Sequence, residues 1–187
     1  MSSRDALIAN MIALLAVVFA GAYGSVFPNG ETAHLSQVQS GEVQSQTTSN
    51  CPDKWFDASF LDMGCLSFNT TQDYTWEDAN NACRKNSNST LVDVATEEQM
   101  VFLQMELDVI ASAEGTNHHW WTAGTDLGVE GRWIWITTLT AVEDFVWNSG
   151  EPGVTTLYNC LELHPDFGYL GFDEICNSER FPICQLK

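Results

Sequence analysis

Positive charge is what this sequence has least of. Seven Lys and Arg stand against 25 Asp and Glu, giving a formal charge of −18 over 187 residues. A field of that sign repels phosphate backbones, anionic membranes and sulfated glycans. Nucleic acid is thereby excluded as a partner, and neutral sugars, cations or basic proteins remain. A run of ~20 apolar residues, enough to span a bilayer, is missing as well. Met11 to Ala20 is uninterrupted but stops short of it. No Cys-x-x-Cys occurs, and Cys51, Cys65, Cys83, Cys160, Cys176 and Cys184 are too widely spread for a zinc knuckle. No internal repeat is visible.

What is present points to export. Met11 to Ala20 has the length of a signal-peptide core, preceded by Arg4 and followed by the small residues Ala20-Gly21-Ala22. A signal peptide is expected at 1–22, leaving no membrane span in the mature, secreted protein. An even number of cysteines in an exported chain reads as a disulfide framework. Residues 23–50 are rich in Gln, Ser and Thr and poor in large apolar side chains. Such a stretch cannot offset its ordering entropy by burial, so a flexible polar stalk is expected there. From Cys51 to Lys187 the chain carries most of its seven Trp and ten Phe, the makings of one well-cored domain. Asn69-Thr70-Thr71 and Asn88-Ser89-Thr90 are glycosylation sequons, usable at Asn69 and Asn88 where they reach the surface.

Within 51–187 the periodicity changes twice. Lys54-Trp55-Phe56 and Cys65-Leu66-Ser67-Phe68 read as two arms of a short hairpin. Thr75 to Cys83 reads as a helix, with Thr75 as N-cap, acids in the first turn, and Trp76, Ala79 and Cys83 on one face. A second helix starts at Thr96, where Thr96-x-x-Gln99 has the form of a capping box, and Phe102, Met105 and Val109 extend an apolar stripe. Beyond His118 the period becomes two. Strands are expected at His119–Thr122, Arg132–Ile136, Phe145–Trp147, Asn159–Leu163 and Phe181–Cys184, with Asn148-Ser149-Gly150-Glu151-Pro152-Gly153 as a loop. The fold class is α+β, two helices with an antiparallel sheet and a long loop region.

These segments, in this order, match a family. Trp121-Thr122-Ala123-Gly124-Thr125-Asp126 with Glu130-Gly131-Arg132-Trp133-Ile134-Trp135 resembles the core signature of C-type lectin domains. Trp147 to Pro152, Asn159 to Leu163, Phe172 to Cys176 and Phe181 to Cys184 continue the resemblance, which covers Cys51 to Gln185. Gly124-Thr125-Asp126-Leu127-Gly128 is similar to secreted arthropod lectins. Six cysteines allow many pairings; the resemblance implies Cys51 with Cys65, Cys83 with Cys184, and Cys160 with Cys176.

The resemblance also implies a calcium ion that holds sugar hydroxyls, coordinated by about six to eight oxygens. Here Glu151-Pro152 is kept, in what resembles a cis-proline turn, but Gly153 stands where the family has Asn. Tyr158 or Asn159 stands where a further carboxylate is expected, and Phe172-Asp173-Glu174 replaces Trp-Asn-Asp. Aligned without a gap to Cys176, only Asp173 keeps its ligand place; with a one-residue deletion, Asp173 and Glu174 form the ligand pair. The principal calcium and sugar ligands are thus Glu151, Asp173 and Glu174, with Asp126 and Glu130 as auxiliary calcium residues. His118-His119 lacks the companions of a catalytic or zinc site, with no His-Glu-x-x-His and no Gly-x-Ser-x-Gly, and reads as strand-edge packing. Trp133, Trp135 and Trp147 are expected in the core first and on sugar faces second. The sequence describes a secreted, carbohydrate-binding C-type-lectin-like protein, not an enzyme, with microbial or self glycans as implied ligands in innate defence. The alternative is a calcium-independent domain whose loops bind or inhibit a protein.

Overall fold

The computed structural model describes residues 50–85 and 87–187. The signal peptide expected at 1–22 and the stalk expected at 23–50, Asn50 apart, lie outside them. The hairpin forms as β1 (Phe56–Asp57) and β2 (Cys65–Phe68), its first arm shorter and later than the expected Lys54–Phe56. Cys51–Cys65 ties the approach to β1 onto β2. The turn ends at Gly64, whose φ of +67° favours glycine. A Cβ at Gly64 would lie 2.2 Å from the Leu186 carbonyl oxygen.

Helix α1 (Trp76–Lys85) opens as expected, the Asp78 amide donating to Thr75 Oγ1 at 3.4 Å. Glu77 and Asp78 occupy its first turn and Arg84 and Lys85 its last, which complements the helix dipole. Trp76, Ala79 and Cys83 are its buried face, and the Trp76 indole donates to the Thr122 carbonyl at 2.8 Å. Helix α2 (Glu97–Glu114) is capped by Thr96, whose Oγ1 accepts from the Gln99 amide. Gln99 does not close the capping box: its Oε1 accepts from the Ala95 amide and its Nε2 donates to the Leu61 carbonyl. The buried stripe of α2 also departs from expectation. Leu103, Leu107 and Ile110 run down its centre at helical spacing, and Phe102 lies at the margin. Met105 and Val109, expected in the stripe, sit beyond that margin and are exposed.

After the hairpin come β3 (Thr90–Leu91), β4 (Trp120–Thr125), β5 (Ile134–Trp135), β6 (Cys160–His164), β7 (Leu170–Glu174) and β8 (Phe181–Leu186), and the strands join in the order β1-β2-β8-β4-β6-β7. Strand β3 pairs with β8, and β5 with β4. Strands β6 and β7 complete the far edge. The sheet is mixed, not antiparallel throughout: β4 and β8 run parallel, with Trp120 opposite Phe181 and Trp121 opposite Pro182. A parallel pair needs a long crossover, and the chain between β4 and β8, loops included, supplies it. Two expected strands are shorter or absent. Arg132–Ile136 contributes only β5, and Asp144–Val146 is a 3₁₀ turn in place of the Phe145–Trp147 strand.

The core gathers Trp120, Trp121, Trp135, Leu66, Leu91, Leu103, Leu107, Leu161 and Leu163 between the sheet and the helices. Trp133 is buried with them, and Trp147 is half-buried against it. Gln185 is a buried polar cross-brace: it accepts from the Asp93 amide and donates to the Met63 carbonyl. Cys83–Cys184 fastens α1 to β8 across 101 residues, and Cys160–Cys176 fastens the start of β6 to the exit of β7. In the chain-entropy account, a loop of the first size is worth ~4–5 kcal/mol. All three pairings are those the resemblance implies. Gly64→Ala must meet both a left-handed backbone and the Leu186 carbonyl, so it should lower unfolding free energy by ~2 kcal/mol or more, read from the urea midpoint.

Candidate functional site

The long loop between Trp147 and Cys160 is tied to β7 at its root. The Asn148 amide donates to the Gly171 carbonyl at 3.0 Å, and a Cβ at Gly171 would lie only 3.0 Å from the Val146 carbonyl oxygen. The Glu151 amide then donates to the Asn148 carbonyl at 3.0 Å, and the Glu151–Pro152 peptide is cis. That turn sends the chain back toward β7, where the Gly153 amide donates to Asp173 Oδ2 at 3.0 Å. The Glu151 carboxyl is brought against Asp173. Burial first, then a hydrogen bond to Asp173 and its negative charge, push Glu151 above the ordinary carboxylate value, while the Gly153 amide works the other way. Among the described residues no Lys, Arg or His forms an ion pair with either group.

Glu174 goes elsewhere. Successive residues of a strand point to opposite faces, so Asp173 and Glu174 leave β7 in opposite directions. The Glu174 carboxylate accepts from the Ile175 amide, Ser178 Oγ and Arg180 Nη2, all within 2.7–3.1 Å. Arg180 also donates through Nε to Glu162 Oε2, and His119 Nδ1 lies 3.2 Å from Glu162 Oε1. Burial raises the Glu162 carboxyl, but the hydrogen bonds and charges of His119 and Arg180 outweigh it and hold it below its ordinary value. Arg180 lies 6.0 Å over the Trp121 ring. Desolvation, then the neighbouring His119, keeps the His164 imidazole below its ordinary value.

The auxiliary pair is split. Asp126 is 3 % exposed; its Oδ2 accepts from the Gly131 amide at 2.8 Å, and among the described residues its buried Oδ1 has no partner. Glu130 is exposed on the same turn. For calcium, the donor set is therefore partial. Glu151 and Asp173 converge, Asp126 keeps one free buried oxygen, Gly153 offers a donor where the family has an acceptor, and Glu174 is committed to Arg180. Two carboxylates and water fit a weakly held cation rather than a full cage of six to eight oxygens, roughly. Beside Glu151 opens a cleft of about 530 Å³, lined by Trp133, Asp144, Trp147, Asn148 and Pro152 among others. The Trp133 and Trp147 rings meet edge-on with centroids 4.8 Å apart. Asn88 is exposed in a left-handed turn, and Asn69 is half-buried with its Oδ1 accepting from the Thr71 amide and hydroxyl.

Sequence reasoning passed over Glu162, His164 and Arg180. The signal was present in Cys160-Leu161-Glu162-Leu163-His164, whose alternation puts a carboxylate and an imidazole on one face of β6. Two outcomes test these electrostatics. Glu162→Gln removes one of the two carboxylates on Arg180 and leaves Glu174 as its partner, so it should cost ~1.5 kcal/mol at pH 7. The stabilisation from Glu162 is complete above about 4.5 and is lost as pH falls below it; a urea series across pH should show that slope flattened in the variant. Glu151 behaves oppositely, its repulsion growing as pH rises past about 4.5. In chelator at pH 7, Glu151→Gln should match or exceed the parent in melting temperature.

Residues 72–186 match the family of the lectin C-type domain. The C-type lectin domain family 4 member M of Hylobates lar is 30 % identical over 138 residues, covering 72 % of this chain and 31 % of that protein. The chain thus spans about a third of the length of that relative. The C-type lectin CEL-I from Cucumaria echinata shares the fold, with a TM-score of 0.62 at 21 % identity over 74 % of this chain and 98 % of its own. A calcium-independent type II antifreeze protein shares it as well, with a TM-score of 0.59 at 19 % identity over 73 % and 93 %. With the family signature spanning more than half its residues and the fold and three disulfides in place, the chain belongs to the C-type lectin domain family.

Proposed function

We propose that this is a secreted carbohydrate-binding protein whose ligand face is the long loop from Asn148 to Tyr158 together with the Asp173 end of β7. One observation carries the reading: Glu151, which lines a Trp-walled cleft, is brought against Asp173, and among the described residues neither has a cationic side-chain partner. Carboxylates accept from sugar hydroxyls, and the Trp147 edge offers an apolar flank to a sugar ring. Calcium, when bound, would neutralise the pair and turn hydroxyls toward it, with Glu151 and Asp173 as its holders and Asp126 serving an auxiliary ion. Glu174 and Glu130 enter such a set only after rearrangement. Export through the segment 1–22, a polar stalk over 23–50, the domain at 51–187 and glycans on Asn88 and Asn69 belong to the same reading. Three formed disulfides support it, since they persist in oxidising compartments. A role in recognising microbial or self glycans follows from it.

A second reading has one observation of its own. Val154 is fully exposed and Leu157 is 68 % exposed at the tip of the same loop, which suits an apolar protein ligand without calcium. The antifreeze protein of this fold is likewise calcium-independent.

Glycan-array binding with calcium and with chelator separates the two. Glu151→Gln and Asp173→Asn should each weaken glycan binding more than about tenfold, ~1.4 kcal/mol, while Glu174→Gln leaves it near the parent. Calcium should raise the melting temperature by less than ~10 °C, as a partial site binds weakly. Ligand binding indifferent to chelator and to both amide variants would replace the sugar reading with the protein-binding one.

A further inference from the structure

On the face of the sheet that carries Glu174, three side chains converge that the sugar reading does not use. His164 leaves β6 on the same side as Glu162, two residues earlier. Trp120 pairs with Leu163, so His119, one residue before β4, comes level with His164. The two imidazole rings lie 4.3 Å apart between centroids, and His119 Nδ1 is 3.2 Å from Glu162 Oε1. One donor atom from each of His119, Glu162 and His164 lies within 4.8 Å of the other two.

From this geometry we propose that His119, Glu162 and His164 form a binding site for a divalent transition-metal ion of the imidazole-preferring class, zinc(II) first among them. The donor chemistry selects the class. Two ring nitrogens suit zinc and its neighbours, whereas calcium takes oxygens. The carboxylate is set in advance: Glu162 is 2 % exposed, and Arg180 holds its Oε2, leaving Oε1 toward His119. An outer-shell partner of that kind orients a metal ligand and fixes which oxygen it offers. In the metal-free protein, a proton on His119 Nδ1 bridges to Glu162 Oε1, and the ion takes that proton's place. Zinc–nitrogen bonds of ~2.0–2.1 Å bring tetrahedral ligand atoms to ~3.3 Å of one another, so the cluster closes by up to about 1.5 Å. His119, 34 % exposed, has the freedom to make that movement. Binding through His164 Nε2 gives up only the long 3.3 Å contact from the Asp166 amide to its Nδ1. Phe172 lies beside His164, at 5.0 Å between ring centroids, and gives it an apolar flank. The fourth position opens to a cavity of about 310 Å³ that Glu151, Asp173 and Glu174 also line. Those acids make the surroundings favourable to a dication.

The site is independent of the sugar reading, and the test keeps them apart. Untagged full-length protein, stripped by chelator, is titrated with zinc(II) by calorimetry and with cobalt(II) by visible absorption. We expect saturable uptake of one ion per chain, with Kd raised by roughly tenfold or more in His119→Gln and in His164→Gln. His118→Gln serves as control, because His118 pairs with Glu114 at 2.8 Å outside the cluster. It should bind as the parent does; the Glu151→Gln/Asp173→Asn pair, which removes charge lining the cavity but no donor atom, should keep one-ion uptake with Kd raised less than in either histidine variant. Near-UV circular dichroism checks that each variant is folded; the two histidines are only partly buried, so substitution leaves the core intact. Absence of saturable zinc uptake overturns the proposal. So does uptake unchanged in both cluster variants, or uptake lost with Glu151 and Asp173 while the histidine variants retain it.

Discussion

The register between β6 and β7 governs everything at the functional end of this domain. It sets Leu161 opposite Asp173 and Glu162 opposite Phe172. Side chains alternate across a sheet, so this one choice sends Asp173 to the long loop and Glu174, with Glu162 and His164, to the other face. A slip of one residue would exchange them, burying Phe172 where Asp173 now meets Gly153. The Cys160–Cys176 bridge forbids the slip by tying the entry of β6 to the exit of β7. The close approach of Gly171 to Val146 forbids it again from the side of the loop root.

Beside this register stand two carboxylates, Glu151 and Glu162, with opposite electrostatics. Glu151 meets another carboxylate and is pushed toward protonation; Glu162 is more deeply buried yet held ionised by Arg180 and His119. Burial alone would have raised both. What separates them is the partner, and the sequence supplies very few cationic partners. Seven Lys and Arg serve the whole chain; Arg180 goes to Glu162 and Glu174, and among the described residues none forms an ion pair with Glu151 or Asp173. The unpaired site is the one suited to a cation or to hydroxyl groups, and the paired one is structurally fixed.

The scaffold that carries these sites is stiff for ordinary reasons. A Trp-rich core lies between the sheet and two helices, and Gln185 satisfies two buried backbone groups that would otherwise be orphaned. The parallel contact of β8 with β4 joins the hairpin half of the sheet to the half that bears the site. Cys83–Cys184 anchors that junction to α1. Loops can then vary in sequence, as Gly153 and Val154 do, without loss of the fold beneath them.

Much was legible from the sequence alone. Both helices, the hairpin, strands β4, β5, β6 and β8, the loop at Asn148–Gly153, the Thr96 cap, the buried face Trp76-Ala79-Cys83 and the family could be read, because capping, periodicity and turn chemistry are local; β3 and β7 were not anticipated. Met105 and Val109 were misplaced, since a helix's buried stripe is set by what it packs against and not by its own apolar residues. Phe145–Trp147 looked like a strand but lies where no neighbour offers a ladder along its length. The parallel pairing of β4 and β8 joins segments some sixty residues apart, roughly the span over which no local signal reaches. At the site, the sequence named Glu151, Asp173 and Glu174 as equals and could not fix the alignment at Phe172. Tertiary structure alone decided that Asp173 meets Glu151, that Glu174 is taken by Arg180, and that His119 and His164, 45 positions apart by their numbers, share a carboxylate. Which side chains meet depends on strand register, and register is a property of the packed sheet.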